Sequence, residues 1–207
     1  MSGNETEPAE NKIESVKNGI KATEHKIRPV EDEIKSVESK IKSAETKVKP
    51  GLRLRTAERK DVSLVLEFVK GIAEFENLSH LVTATEETLT ESMFGKRPYA
   101  EVFFAELDGV PAGFTVFFHN FSTFVGKPGL YIEDIFVKPG FRGKGIGKAM
   151  FLHCIKLAKE RNCGRLEWAV LDWNPAREFY EHLGGNPVDG WHIYRLGQDK
   201  FESALEK

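Results

Sequence analysis

Residues 132–147, IEDIFVKPGFRGKGIG, bring two kinds of chemistry together in one short run. Glu133 and Asp134 sit in an apolar segment, and a carboxylate there can take a proton from an attacking nucleophile. Three glycines and two cations, Arg142 and Lys144, follow Pro139-Gly140, and Lys148 comes next. Glycines let backbone N–H groups approach a ligand closely, and a helix start carries partial positive charge that favours phosphate. Two familiar phosphate patterns fail here. In GxGxxG the third glycine would fall on Lys148, and in GxxxxGK[ST] Arg142 replaces the first glycine and Ala149 the hydroxyl. What remains is Arg-x-x-Gly-x-Gly, Arg142 to Gly147, opening a helix directly after a strand.

The elements that must hold this run belong to a chain of two unequal parts. Residues 1–50 contain no Phe, Trp, Tyr or Leu and carry ten basic and ten acidic side chains. Their apolar residues nevertheless keep heptads: Ile13, Ile20, Ile27, Ile34, Ile41 and Val48 in one position, Val16, Thr23, Val30, Val37 and Ala44 in the other. Gly19 and Pro29 oppose a continuous helix. A coiled-coil or partly disordered arm is expected there, and Pro50-Gly51 marks its end.

Residues 51–207 read as one α/β domain. LRLR is a short strand, and Asp61 caps a helix with the face Val62, Val65, Phe68, Val69, Ile72 and Phe75. A second helix runs from Thr85 to Gly95. EVFFAEL and VPAGFTVFF form a hairpin about Asp108-Gly109. LYIEDIFV is a buried strand, and a long helix spans Gly145 to Asn162. The strand RLEWAVL, a helix from Pro175 to Leu183, the strand HIYRL and a helical end from Gln198 complete a mixed, mostly antiparallel central sheet flanked by helices.

Composition narrows the functions. The 207 residues are 40% apolar and 11% aromatic, enough for a well-buried domain. A net charge of −2 gives no global basic field, so no nucleic-acid partner is expected. No apolar run approaches the roughly 18 residues of a membrane span, and no apolar signal core opens the chain. Cys154 and Cys163 lack metal or CxxC spacing and the six histidines form no ligand pattern, so reduced thiols, a cytoplasmic location and no metal are expected.

The run RGKGIG after IEDIFVKPGF resembles the acetyl-CoA pyrophosphate loop of the GNAT superfamily of N-acetyltransferases. AEFENLS, STF, YIED, AVLDWN, EFYEHLG and DGWH extend the resemblance from Leu52 onward, toward its spermidine/spermine and thialysine branch. It implies a GNAT-like acyl-CoA N-acyltransferase fold, a homodimer, and acetyl transfer from acetyl-CoA to a primary amine of a small cation.

On the matched positions the resemblance implies that acetyl-CoA meets Ile135, Phe136 and Val137 on the strand. On the turn it meets Arg142, Gly143, Lys144, Gly145, Ile146, Gly147 and Lys148, and further on Asn174, Pro175, Ala176, Arg177 and His182. Asn174 reads equally well as a helix cap. The amine side would be Phe75, Glu76, Glu133, Glu167, Trp168, Ala169 and Asp189, although Trp168, Trp173 and Trp191 read by type as core or interface.

An amine must be neutral to attack a thioester, and freeing a lysine-like amine at pH 7 costs about 4–5 kcal/mol. Glu133, whose apolar neighbours imply burial, is the base implied, directly or through water. Asp134 points to the opposite face if the pleat is regular. Tyr180 matches the proton donor to the coenzyme A thiolate. From an unperturbed phenol that transfer is uphill by about 2 kcal/mol. Phe75 stands where the polyamine enzyme has a tyrosine and Ser122 near its aspartate, which favours a short, thialysine-like amine. A protein N-terminal or lysine acetyltransferase and an inactive acyl-CoA-binding scaffold stay open as alternatives.

Overall fold

The computed structural model describes residues 50–207, so the heptad arm lies outside the described residues. Two compact units meet in sequence between Ala169 and Val170. The first holds a five-stranded sheet: β1 Leu52–Thr56, β2 Glu101–Leu107, β3 Val110–Ser122, β4 Lys127–Val137 and β5 Arg165–Trp168, in that order. Neighbours are antiparallel except β4 and β5, which run parallel. The positive φ of Asp108 and Gly109 (52° and 80°) makes the tight β2–β3 turn that the Asp-Gly pair implies.

One face of the sheet is covered by α1, Val62–Phe75, and α2, Glu86–Phe94. Val65 and Phe68 on α1 pack with Val102, Phe104, Phe114, Val116 and Phe136, and the Phe68 and Phe114 rings stack at 5.0 Å. Thr85 caps α2, its hydroxyl accepting from the Thr88 amide. Asp61, expected to cap α1, makes no side-chain cap bond to it. Its carboxylate turns back to Arg55 (2.7 Å) and the Glu58 amide (2.7 Å), because Arg55 is already fixed on Glu106 (2.8 Å) and offers the stronger, charged donor. That arginine holds the Asp61 carboxyl below its usual range.

The other face carries α3, Ile146–Glu160, through Ile146, Met150, Phe151, Cys154 and Ala158 at helical spacing. Phe103 meets His153 at 4.8 Å and Trp168 meets Phe151 at 5.0 Å. Both cysteines are free, and burial pushes the Cys154 thiol up to about 12.

The second unit contains α4, Ala176–His182, a 3-10 turn Gln198–Lys200 and α5, Phe201–Leu205. Two strand expectations fail. RLEWAVL is extended only over Arg165–Trp168. HIYRL has no strand at all, and Ile193, Tyr194 and Leu196 are exposed. Strand-forming residue types alone do not make a strand; its amides need a ladder partner, and none is assigned beyond Trp168 among the described residues.

Gly113 on β3 shows how closely the layers sit. A methyl group there would lie 2.8 Å from Met150 Sδ and 2.9 Å from the Phe136 carbonyl oxygen. Gly113→Ala is expected to cost about 1–3 kcal/mol and lower Tm by about 3–10 °C, read by circular dichroism. An unchanged Tm would contradict this packing.

Candidate active site

The centre of the site is a break in β4. Its register with β3 runs Gly113↔Val137 through Val116↔Asp134, then resumes at Phe117↔Ile132, so Glu133 is the extra residue of a β-bulge. The bulge changes the phase of the strand. Ile132 shares a face with Phe117, while Asp134 joins Val116 and Phe136 on the face covered by α1. A regular pleat would have put Asp134 on the other side.

The parallel pairing to β5 covers only Gly129–Ile132 of β4. Beyond it, the Lys138 amide donates to the Ala112 carbonyl at 2.9 Å, which makes Gly113↔Val137 a non-hydrogen-bonded pair. By alternation Phe136 exchanges its bonds with Phe114, and Ile135 and Val137 direct their amides away from β3, past the end of β5.

The turn after β4 begins with a 3-10 turn, Pro139–Phe141, and continues through Gly143 (φ 72°) and Gly145 (φ 77°) into α3. Those angles strain any residue with a Cβ. A Cβ added at either glycine would meet no protein atom within 4 Å. Ile146, the first residue of α3, is buried and anchors the helix start, whereas Lys144 and Lys148 are exposed. Lys144 Nζ donates to the Gly140 carbonyl (3.1 Å), and Arg142 Nε to the Val137 carbonyl (3.1 Å). Backbone amides at the N-terminus of a four-turn helix, with lysines beside them, suit a diphosphate. These residues fit the pyrophosphate of an acyl-CoA.

Three carboxylates interact at the bulge: Glu76 at the end of α1, Glu133 and Asp134. Glu133, expected buried, is exposed, because the bulge releases it from the ladder. Asp134 is half-buried, and burial first, then the charges of Glu133 and Glu76, push its carboxyl up to about 7. Burial also raises Glu76. Asp134 is therefore the titratable group that the sequence reading set aside. The available signal was its place between Ile132 and Phe136, an acid at a core-parity position.

Phe75 packs against Phe136 at 6.3 Å and lies beneath Arg142. Glu167 faces the α1 side, level with Tyr131, and is held by Asn120 Nδ2 (2.6 Å) and Arg165 Nε (2.9 Å) across Gly129. No sequence signal pointed to Asn120. With Arg165 so close, Glu167 attracts a further cation less than an unpaired acid would. Trp168 lies on the α3 face against Phe151, and Ala169 is exposed.

In the second unit Tyr180 is buried, with its ring 5.4 Å from that of Phe179. Asn174 Oδ1 accepts from the Ala176 amide at 2.9 Å, a helix-start bond, with Pro175 between them. Arg177 donates to the Asp172 carbonyl, and His182 and Asp189 are exposed. Among the described residues no cluster of His, Cys, Asp and Glu is placed to hold a metal, and no helix is long and apolar enough to cross a membrane.

Residues 69–185 match the model of the acetyltransferase (GNAT) family. The chain is 32% identical over 201 residues to an L-ornithine N5-acetyltransferase of Arabidopsis thaliana, covering 75% of this chain and 88% of that one. It is 34% identical over 155 residues to the thialysine N-epsilon-acetyltransferase of Bos taurus, covering 69% and 91%. A solved integron cassette protein from the mobile metagenome of V. cholerae superposes with a TM-score of 0.63 at 23% identity, over 76% of this chain and 99% of that one.

The raised Asp134 carboxyl has a consequence for stability. Between about 4 and 7 the unfolded chain releases this proton while the folded chain keeps it, so this group's contribution falls as pH rises through that window. Asp134→Asn is expected to flatten the pH dependence of Tm between 4 and 7. At pH 8 it should stabilise the fold by about 2–4 kcal/mol. Thermal unfolding across that range checks it, and a variant no more stable than wild type at pH 8 would contradict the assignment.

Proposed function

Because the chain belongs to the GNAT acetyltransferase family, we propose that it transfers the acetyl group of acetyl-CoA to a primary amine of a small cation, of the thialysine, ornithine or short-diamine kind. The observation that carries this reading is the group of three carboxylates, Glu76, Glu133 and Asp134, at the point where β4 leaves β5. Such a group attracts an ammonium ion by charge and holds it beside the strand edge. The relatives from Arabidopsis and cattle, whose names specify ornithine and thialysine, support an amino-acid-like amine.

Acetyl-CoA supplies the acetyl thioester. In this reading Gly143, Gly145 and Gly147 present the turn's backbone to its pyrophosphate, and Arg142, Lys144 and Lys148 supply charge. Phe136 keeps the strand seated on β3, so the Ile135 and Val137 amides can hold the donor and polarise its carbonyl. Asn174, Pro175, Ala176, Arg177 and His182 are proposed coenzyme A contacts, carried by motif.

Glu133 at the bulge takes the amine proton, through water where it does not reach. Its exposure lets it meet the incoming amine. Asp134 is the second reading for the base, favoured by its raised carboxyl. Passing a proton from an amine of pKa about 10.4 to an ordinary carboxylate costs about 9 kcal/mol, and to one near 7 about 5. A base poised near the working pH is the more effective one. Tyr180 donates the proton that the departing thiolate needs.

Glu167 and Asp189 add charge on the amine side. Ser122 is the buried last residue of β3, and its hydroxyl accepts from the Val125 amide, so it supplies no acid for the far nitrogen of a long polyamine. The catalytic part is residues 51–207, working as a cytoplasmic homodimer, with residues 1–50 as an accessory arm.

Thiol release from acetyl-CoA, followed with thialysine, ornithine, lysine, putrescine and spermine, tests the reading. kcat/KM is expected to favour thialysine or ornithine over spermine, and a tenfold preference for spermine, about 1.4 kcal/mol, would reverse it. Glu133→Gln is expected to lower kcat about 10²-fold at pH 7 and to recover in part by pH 9, where more of the amine is neutral. If Asp134→Asn shows that profile and Glu133→Gln does not, Asp134 is the base. Wild-type rates in both variants would exclude an acid of this group as proton acceptor.

A further inference from the structure

Arg142 opens the glycine turn, and its guanidinium has three neighbours in the first unit. Its carbon lies 4.3 Å from the centre of the Phe75 ring and 5.5 Å from that of Phe136, and its Nε donates to the Val137 carbonyl at 3.1 Å. Phe75 is the last residue of α1, Phe136 and Val137 end β4, and the two rings pack at 6.3 Å. An exposed arginine carries several rotatable bonds and loses that freedom whenever it engages a ligand. Here the ring beneath it and the carbonyl beside it remove much of that freedom in advance.

We propose that Phe75 is a positioning residue for the acetyl-CoA loop, its ring the platform that holds Arg142 in place, rather than a lining residue of the amine site. The inference rests on the acetyl-CoA reading above and gives Phe75 a different part in it. It also ties the loop to the end of α1, where the next residue is Glu76, so the cofactor turn and one acid of the amine group share a support.

The contact is electrostatic and face-specific, so any aromatic ring should serve and an aliphatic side chain of similar bulk should not. Phe75→Leu is expected to weaken acetyl-CoA binding about two- to fivefold by calorimetry, the size of a cation–π contact at an exposed site, with the amine KM unchanged. Phe75→Tyr and Phe75→Trp should restore the affinity. A second readout needs no cofactor: in the free protein the Arg142 Nε–H resonance should be shifted by the ring current of Phe75, and should lose that shift in Phe75→Leu while keeping it in Phe75→Tyr. An unchanged acetyl-CoA affinity in Phe75→Leu, or a raised amine KM in its place, would overturn the inference. Failure of the wild-type chain to bind acetyl-CoA would instead overturn the functional reading on which it rests.

Discussion

Everything at the site follows from β4 having to serve two partners of different reach. β3 follows it over its whole length, whereas β5 stops at Ile132. One residue further on, Glu133 is inserted as a bulge. Where a strand loses a neighbour its backbone groups must find other partners or face solvent, because a buried, unpaired amide costs about 1–3 kcal/mol. Here Ile135 and Val137 are left with amides directed to the open side. The same insertion changes the phase of the strand and carries Asp134 to the α1 face.

Charge follows from that geometry. Asp134 is half-buried at the bulge, and that burial first, with the charges of Glu133 and Glu76 adding to it, holds its proton to about 7. Arg55 shows the contrast: its two acids, Asp61 and Glu106, hold one cation between them and lock β1 to β2 and the start of α1. The first arrangement is unfavourable for the free fold and favourable for a cationic ligand. Stability given up at a binding site is regained when the ligand arrives. A cationic amine, the ligand proposed above, would favour the charged form of Asp134 and so offset this cost.

Much of this was legible in the sequence. Asp108-Gly109 gave the hairpin because only that turn accommodates two residues of positive φ. Val65, Phe68 and Ile72 marked the buried face of α1 by spacing. Gly143, Gly145 and Gly147 stood out because glycines at a helix start let backbone amides approach a phosphate closely, more than a plain turn requires.

The bulge was not legible. Tyr131 to Val137 reads as a buried apolar strand carrying two adjacent acids, which a regular pleat would send to opposite faces, so Glu133 looked buried and Asp134 looked turned away. Asp61 looked like a cap because the competing partner, Arg55, is brought to it by the fold. The support of Glu167 by Asn120 depends on Gly129 lying between β3 and β5, a register no local pattern encodes. HIYRL had residue types suited to a strand but depended on a ladder partner that residue type cannot supply.

The central proposal is that the acids at the bulge receive the amine, with Asp134 the more buried of the two on β4. Titration of the Asp134 side-chain carboxyl by ¹³C NMR reads it directly, first in the free protein and then with a saturating short diamine. The account predicts a midpoint near 7 in the free protein, moving down when the cationic amine binds, because a nearby positive charge favours the carboxylate. A midpoint at the ordinary 3.8 of an aspartate, or one near 7 that the amine does not move, would contradict it.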